Sequence, residues 1–257
     1  MATQDELQRA VNNNAKVSEA AVELFVKDLE AILRKRMRTL SQELSGVDAL
    51  ETAIRLGGLY NSLEALGYKE QLARLEEIYA IELGSVREEF IIATGEDPIT
   101  DIDIATLETL IDFDIEEIDN TVHVYTDRLK SIIQREAVFG NDFDVQDLHE
   151  ELSPATFNRV KTELNTGAAS FNRALTVRKA RETGDKDPLY YYNGPLDKIT
   201  RDFCEGILVD RSPPIYKESE ILRMDNGQGL DPLMAGGGYN CRHKWSYVSK
   251  NLAGTFR

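Results

Sequence analysis

The sequence contains no long hydrophobic run. None of its apolar stretches approaches the roughly 20 residues that a helix needs to cross a bilayer, and it opens on the polar, acidic segment MATQDE rather than on a secretion signal. We therefore expect a protein that is made and used in a cytoplasm and has no membrane partner. With 257 residues, of which 42% are hydrophobic and 29% charged, the chain is long enough for one large or two modest domains with their own cores.

Cysteine is also scarce. The chain has two cysteines, which are too few for a disulfide scaffold, and a reducing compartment disfavours a structural bridge during synthesis. A particle that later leaves the cell is a different case, because its thiols then meet oxidising conditions. The sequence thus leaves a disulfide open only for a mature, extracellular state.

Basic residues are outnumbered, and the imbalance is local. The net charge of −15 comes from residues 41–120, which carry −16, whereas residues 1–40, 121–190 and 191–257 carry +1, −1 and +1. Such a band repels phosphate backbones and attracts basic protein surfaces, so we expect no direct, sequence-specific contact with nucleic acid. Two interpretations stay open: a docking surface for a basic partner, or a solvated helical face.

Most of the first 180 positions have helical periodicity. The most regular pattern has apolar residues three or four positions apart, with acidic residues between them; its members are Ile104, Leu107, Ile111, Ile115, Ile118, Val122, Tyr125 and Leu129. This pattern predicts a coiled-coil-like seam, which needs a partner helix from the same chain or from a neighbouring subunit. We also predict a short helix at residues 4–11 that ends at Asn12-Asn13-Asn14, and a long helix that begins at Ser153-Pro154, with Ser153 as its N-cap.

Rare residue types collect in the last third of the chain. Both cysteines, the single tryptophan and one of three histidines lie there, among many glycines. The aromatic run 190–192 predicts a short strand, residues 197–204 a short helix, and residues 217–224 a strand or a helical turn. The predicted fold is therefore mainly α: long antiparallel helices in a helical region over residues 1–152, followed by a small C-terminal α+β domain with its leading helix over residues 153–257.

Two features of this region carry no ligand prediction. Arg173, Arg178, Lys179 and Arg181 lie towards the end of the predicted leading helix, where cations suit the negative end of the helix dipole, so we predict no phosphate site. The glycines at 236–238 lack the following Lys-Ser or Lys-Thr of a phosphate-binding loop. Nucleotide binding is not expected.

Cys204, Cys241 and His243 are the candidate metal ligands, with Asp197 as a fourth candidate. Thiolate, imidazole and carboxylate groups are ligands that zinc accepts, although one residue between Cys241 and His243 is a tighter spacing than usual. A disulfide between the two cysteines and a pair of packed free thiols are the alternatives. An enzyme with a Cys-His nucleophile would need a third, orienting group, which the sequence does not identify.

Three motifs follow one another over roughly residues 155–250. They consist of Thr162 and Glu163; of Gly194, Pro195, Asp197, Thr200, Arg201 and Cys204; and of Asn240, Cys241, Arg242, His243 and Trp245. Their order and spacing resemble the C-terminal domain of the minor head proteins similar to protein F of phage Mu. Some members of that family end the last motif in Cys-Arg-Cys, and His243 takes the place of the last cysteine here.

The resemblance implies a structural protein of a tailed-phage head that takes part in head morphogenesis. Its expected partners are the portal or other head and neck proteins, with several copies in a ring around the portal or head-tail junction. Its expected location is the virion, and the host cytoplasm during assembly. Two alternatives stay open: an enzyme or toxin domain delivered with the particle, and an assembly scaffold that is absent from the mature particle.

Overall fold

The fold, described by a computed structural model for residues 3–254, consists mainly of helices with one small sheet. The helices are α1 Gln4–Leu44, α2 Ala49–Gly57, α3 Asn61–Glu64, α4 Tyr68–Ala73, α5 Leu75–Thr94, α6 Asp101–Phe139, α7 Val145–Glu182, α8 Asp202–Asp210, α9 Glu218–Ile221, α10 Pro232–Ala235 and α11 Lys250–Ala253. The strands are β1 Leu189–Asn193, β2 Ile215–Lys217 and β3 Lys244–Val248. The predicted fold class, mainly α with a small C-terminal α+β region, is confirmed.

Helix α1 continues for 41 residues, through the three asparagines at 12–14. The prediction of a short helix that ends there is wrong. Asparagine is a weak helix former, but the preceding turn buries Leu7, Ala10 and Val11 almost completely. Burial of this apolar face outweighs the local preference of the asparagines, because most helical stability in proteins comes from packing.

Helix α7 also begins earlier than predicted. It starts at Val145, where the side chain of Asp144 accepts a hydrogen bond of 2.6 Å from the backbone N–H of Gln146, and Pro154 lies inside it. The prediction that the long helix starts at Ser153 is therefore wrong. The domain boundary predicted between residues 152 and 153 falls within this helix, and independent folding of residues 153–257 stays a prediction.

The chain forms two compact units. The first contains the residues up to Ala21, Glu76–Leu110 and the residues from Leu164 onward, and the second contains Val22–Leu75 and Ile111–Glu163. Both units draw on segments that are distant in sequence. Each unit is therefore completed only when separate parts of the chain meet.

The second unit contains most of the residues of the predicted apolar seam. Ile118, Val122 and Leu129 on α6 are completely buried by this chain itself, so the surface that covers them comes from within the chain. Tyr125 of the same seam is buried, and its hydroxyl lies 2.6 Å from Nδ1 of His149 on α7. At the start of the seam, in the first unit, Ile104 remains 41% exposed.

The sheet belongs to the first unit and has the order β2-β1-β3, with both pairs antiparallel. The strand predicted at residues 190–192 is confirmed as the central strand β1. Residues 217–224 contain both alternatives, because β2 ends at Lys217 and α9 follows directly. The helix predicted for residues 197–204 is wrong for its first half: the Asp197 side chain accepts from the backbone N–H of Ile199, a local turn that competes with helix, and α8 begins only at Asp202.

A buried carboxylate links the helices of the first unit to the sheet. Glu82 on α5 is fully buried and accepts a hydrogen bond of 2.6 Å from the Lys244 ammonium on β3. It also accepts from the Ser18 hydroxyl on α1 and, at 2.9 Å, from the Asn172 amide on α7. A buried charge needs such partners, because an unpaired one costs several kcal/mol. Of the helices in the described range 3–254, none is long and apolar enough to span a membrane.

The seam can be tested with two isoleucines on the same helix. Ile118→Ala removes a completely buried side chain, and we expect it to lower the free energy of unfolding by about 2–5 kcal/mol, because a cavity remains. Ile102→Ala is the matched control, since Ile102 is 70% exposed, and its effect should stay within about 0.5 kcal/mol. Urea unfolding followed by far-ultraviolet circular dichroism measures both. Equal effects would contradict the described packing of α6.

A second test uses the pH dependence of stability. Burial raises the pKa of Glu89 on α5 to about 7, despite hydrogen bonds from Ser246 and Asn14. Because this folded-state pKa lies above the ordinary value of 4.5, the folded state holds the proton more tightly, and stability falls as pH rises from about 4.5 to about 7. At one pKa unit per 1.36 kcal/mol, the loss is at most about 3 kcal/mol.

Glu89→Gln keeps the shape of the protonated side chain and removes its titration. We expect this variant to match the wild type in urea unfolding at pH 5 and to exceed it in stability at pH 8. A variant that is less stable than the wild type at both pH values would show that the Glu89 carboxylate stabilises the fold.

Candidate metal centre

Two separate segments bring together the residues of the predicted metal site. Cys204 lies on the first turns of α8, Cys241 in the turn that follows the glycines at 236–238, and His243 directly before β3. All three side chains are buried, with exposed fractions of 1%, 4% and 3%. The site is therefore an interior cluster of the first unit, enclosed by a helix, a glycine-rich turn and the start of an edge strand.

The three candidate ligands are mutually close. The sulfurs of Cys204 and Cys241 are 3.7 Å apart, and Cys241 Sγ is 3.9 Å from Nδ1 of His243. One ligand atom from each residue can be chosen so that all lie within 4.8 Å of one another. The sulfurs are not bonded, since a disulfide requires about 2.05 Å. The three residues predicted as metal ligands therefore lie together in the fold, and metal binding itself stays a prediction.

Asp197, the fourth predicted candidate, is not part of this group. Its carboxylate accepts a hydrogen bond of 2.7 Å from Arg242, whose guanidinium also contacts Glu19 on α1 at 2.7 Å. The Arg242 guanidinium lowers the pKa of Asp197. Asp197 thus fastens the segment before α8 to the turn before β3 and offers no ligand to the cluster.

Glycines allow the backbone to approach the cluster closely. A Cβ at position 237 would lie 2.4 Å from the sulfur of Cys204, and a Cβ at position 194 would lie 2.5 Å from Cδ2 of the His243 ring. Gly236 has a φ of 57°, a left-handed conformation that side chains other than glycine rarely adopt. The glycine-rich turn is therefore required by the space around the sulfurs and the imidazole.

Arg173 on α7 holds this turn in place. Its side chain is 1% exposed and donates hydrogen bonds to the carbonyl oxygens of Met234 at 2.6 Å, Cys241 at 3.3 Å and His243 at 2.8 Å. The interpretation of Arg173 as a cation that suits the end of the helix dipole is wrong, because its guanidinium binds backbone of the site. One sequence signal was present: Arg173 lies four residues from both Ala169 and Val177 on the buried face of α7.

The surroundings of the sulfurs favour an ionised cysteine. The backbone N–H of Gly237 donates to Cys241 Sγ at 3.1 Å, and the Tyr192 hydroxyl donates to Cys204 Sγ at 3.2 Å. Hydrogen bonding from the Cys204 thiol lowers the pKa of Cys241, with His243 and the positive charge of Arg173 acting in the same direction. The pKa of Cys204 is raised, because its proton is shared with Cys241 and its sulfur is buried.

His243 is oriented by packing. Its ring stacks on Tyr192, with centroids 5.4 Å apart and planes 11° from parallel. Among the residues that the structure describes, no hydrogen-bond partner lies within reach of its buried Nε2. Beside the cluster is a cavity of about 220 Å³ whose lining includes all three candidate ligands. The site therefore combines an unsatisfied ring nitrogen with adjoining space.

The other two histidines, His123 and His149, belong to the second unit. His149 pairs with Tyr125, as described above, and burial lowers its pKa. His123 stacks on the Tyr60 ring at 3.5 Å. Each of these two histidines therefore contacts a tyrosine side chain.

Comparisons with known proteins identify no relative. No protein-family model matches the chain, no curated protein matches it, and no solved structure matches its fold. The site's chemistry therefore has to be judged from its own residues.

The close approach at Gly237 provides a steric test. Gly237→Ala places a methyl group against the Cys204 sulfur, and we expect a loss of roughly 1–3 kcal/mol in the free energy of unfolding from overpacking. Gly206→Ala on α8 is the matched control: its Cβ meets nothing within 4 Å, and alanine in a helix interior should add about 0.5–1 kcal/mol. Urea unfolding followed by fluorescence of Trp245, the single tryptophan, measures both. A neutral Gly237→Ala would contradict the described turn.

Proposed function

We propose that this chain is a structural minor head protein of a tailed phage, which docks at the portal or head-tail junction during head assembly. The proposal begins from the resemblance of residues 155–250 to the minor head proteins similar to protein F of phage Mu. Its protein partners are then the portal or other head and neck proteins, met first in the host cytoplasm and retained in the virion. In the fold, most of the motif residues bond or pack against other parts of this chain, which supports a structural role.

One observation carries the proposal: the charged motif residues fasten backbone segments together. Arg201 donates to the carbonyl oxygen of Gly237 at 2.6 Å and also to that of Tyr239. Arg242 bridges Asp197 and Glu19. These bonds fix the turn before β3 to the segment before α8 and to α1. A motif whose residues specify a rigid unit is what a docking protein requires.

The remaining motif residues complete the same unit. Trp245 is completely buried, packs against Tyr192 with ring centroids 4.3 Å apart, and donates from its indole N–H to the carbonyl oxygen of Pro232 at 2.9 Å. The backbone N–H of Asn240 donates to the Thr166 hydroxyl at 3.0 Å. The side-chain oxygen of Asn240 accepts a hydrogen bond from the Asn165 amide on α7. Most of the motif thus contributes to folding, which favours a contact surface over a reaction centre.

The alternative of a Cys-His enzyme has less support. A nucleophilic cysteine needs a base within hydrogen-bond reach, and that base needs an orienting partner. Cys241 Sγ and His243 Nδ1 are 3.9 Å apart, and no described residue bonds the other ring nitrogen. Only stacking on Tyr192 orients this histidine, so the arrangement lacks the third group of a catalytic triad.

The acidic band offers a surface for a basic partner. Asp112 and Glu116 lie four residues apart on α6, both exposed, so that they share one side of the helix. Within residues 41–120 the acidic excess is 16 charges. In the proposed role this band faces a basic surface of a portal or neck protein, because opposite charges speed association and select partners.

Particle composition tests the proposal. In mature particles purified from cells that produce this protein, we expect mass spectrometry to find the chain in several copies, and tagged particles to carry the label at the neck. Absence of the chain from mature particles, with its presence in immature heads, would contradict the proposal and favour the scaffold. Turnover by the purified protein that is lost on changing Cys241 or His243, with normal capsids, would favour the enzyme.

Charge reversal can test the docking surface separately. Asp112→Lys with Glu116→Lys should leave the fold intact, because both side chains are exposed, and should lower incorporation into particles. Glu150→Lys with Glu151→Lys is the matched control, since these are exposed acids on α7 outside the band. If both variants enter particles as efficiently as the wild type, the acidic band is a solvated face.

A further inference from the structure

The cluster of Cys204, Cys241 and His243 has the geometry of a metal centre. We propose that these three residues bind a zinc ion and that the fourth coordination position faces the adjoining cavity. This inference stands apart from the proposed function, because it depends only on the three side chains and their surroundings. A zinc ion at this position would link α8 to the turn before β3.

The distances between the ligands fit a tetrahedral ion. With zinc-sulfur bonds of about 2.3 Å and tetrahedral angles, two cysteine sulfurs lie about 3.8 Å apart, and a sulfur and a histidine nitrogen about 3.6 Å apart. The structure has 3.7 Å between the sulfurs and 3.9 Å between Cys241 Sγ and His243 Nδ1. A disulfide would instead require the sulfurs to approach by more than an ångström, to about 2.05 Å.

The types of ligand select the metal. Two sulfurs and an imidazole are soft and intermediate donors, which favour zinc over the oxygen-binding cations magnesium and calcium. Asp197 remains paired with Arg242, so no carboxylate joins the set. In the zinc-bound state both sulfurs are thiolates and the imidazole is neutral, so the centre of one divalent ion and two thiolates has no net charge.

The groups around the sulfurs suit thiolate ligands. Gly237 N–H and Tyr192 O–H each donate to one sulfur, and both donors remain in place after the thiol protons have gone. Outer hydrogen bonds of this kind orient metal ligands and tune their basicity. Arg173 adds a buried positive charge that binds the carbonyl oxygens of both Cys241 and His243. The backbone of two of the three ligands is therefore fixed before any metal arrives.

The ring nitrogen of His243 that faces the sulfurs is Nδ1, which lies 3.9 Å from Cys241 Sγ. The other nitrogen, Nε2, is buried and has no hydrogen-bond partner among the described residues. A neutral imidazole that carries its proton on Nε2 presents the lone pair of Nδ1 to a metal ion. Nδ1 is therefore the ligand atom that His243 would supply.

The fourth position can hold an exchangeable ligand. Three protein ligands leave one position of a tetrahedral zinc ion unfilled, the arrangement that keeps a site open to water or another small ligand. The cavity of about 220 Å³ next to the cluster has room for such a ligand, since about 10–15 Å³ of such space is enough to hold one water. The centre is therefore expected to exchange its fourth ligand without loss of the ion.

Metal analysis of the full chain tests the inference. The protein is purified under reducing conditions, reconstituted with zinc and dialysed. We expect a single bound zinc ion per chain and, with cobalt in its place, the visible bands of a tetrahedral ion together with thiolate-to-cobalt charge transfer. Cys204→Ser, Cys241→Ser and His243→Asn should each reduce zinc retention against a competing chelator by more than tenfold. His123→Asn is the control and should retain zinc fully.

Tyr192→Phe distinguishes a metal centre from simple packing. This variant keeps the ring that stacks on His243 and removes the hydroxyl that donates to Cys204. We expect it to bind zinc about 10–100-fold more weakly, with unchanged stoichiometry, as for other groups that orient metal ligands. If a cysteine variant fails to fold, the zinc affinity of Tyr192→Phe still tests the site.

Three results would overturn the inference. The first is reduced, folded protein that takes up no zinc and gives no cobalt spectrum. The second is an intact mass two hydrogens lighter than the reduced chain, which would show that the two cysteines form a disulfide. The third is full zinc retention by a folded variant that lacks all three ligands, which would place the ion elsewhere.

Discussion

The buried ion pair of Glu82 and Lys244 is the interaction on which the first unit depends. Glu82 lies on a helix and Lys244 on an edge strand, and the carboxylate also binds side chains from α1 and α7. Such a pair adds little stability over a well-packed apolar pair, but loss of one partner leaves a buried charge at a cost of roughly 3–5 kcal/mol. It therefore specifies how these elements meet.

The candidate metal centre follows from this arrangement. His243 directly precedes Lys244, so the ion pair positions the start of β3, while Arg173 holds the carbonyl groups of the turn. The glycines then let that turn approach the sulfurs without a clash. A cluster of three ligands from two separated segments is formed by polar contacts that are themselves buried. The geometry of the site is thus a property of the whole first unit.

The sequence predicted what residue type and periodicity can encode. The aromatic run gave the central strand, and the chemical types of Cys204, Cys241 and His243 identified the cluster. It failed where long-range packing outweighed local preference. The asparagines at 12–14 do not end α1, because their neighbours are buried. Arg173 was misinterpreted, because its partners are carbonyl oxygens about 60–70 residues away, as the separations of its hydrogen bonds show. No local pattern contains that information.

The pairing of Glu82 with Lys244 also bears on how the chain is made. The two residues are 162 positions apart, and β1 cannot pair with β3 until residues 244–248 have left the ribosome. Until Lys244 has been synthesised, closure of the helices over the α5 carboxylate would leave a buried charge without its cation, at a cost of several kcal/mol. The first unit can thus assemble only late in translation, and a nascent chain interrupted before β3 would expose the surfaces that β3 later covers.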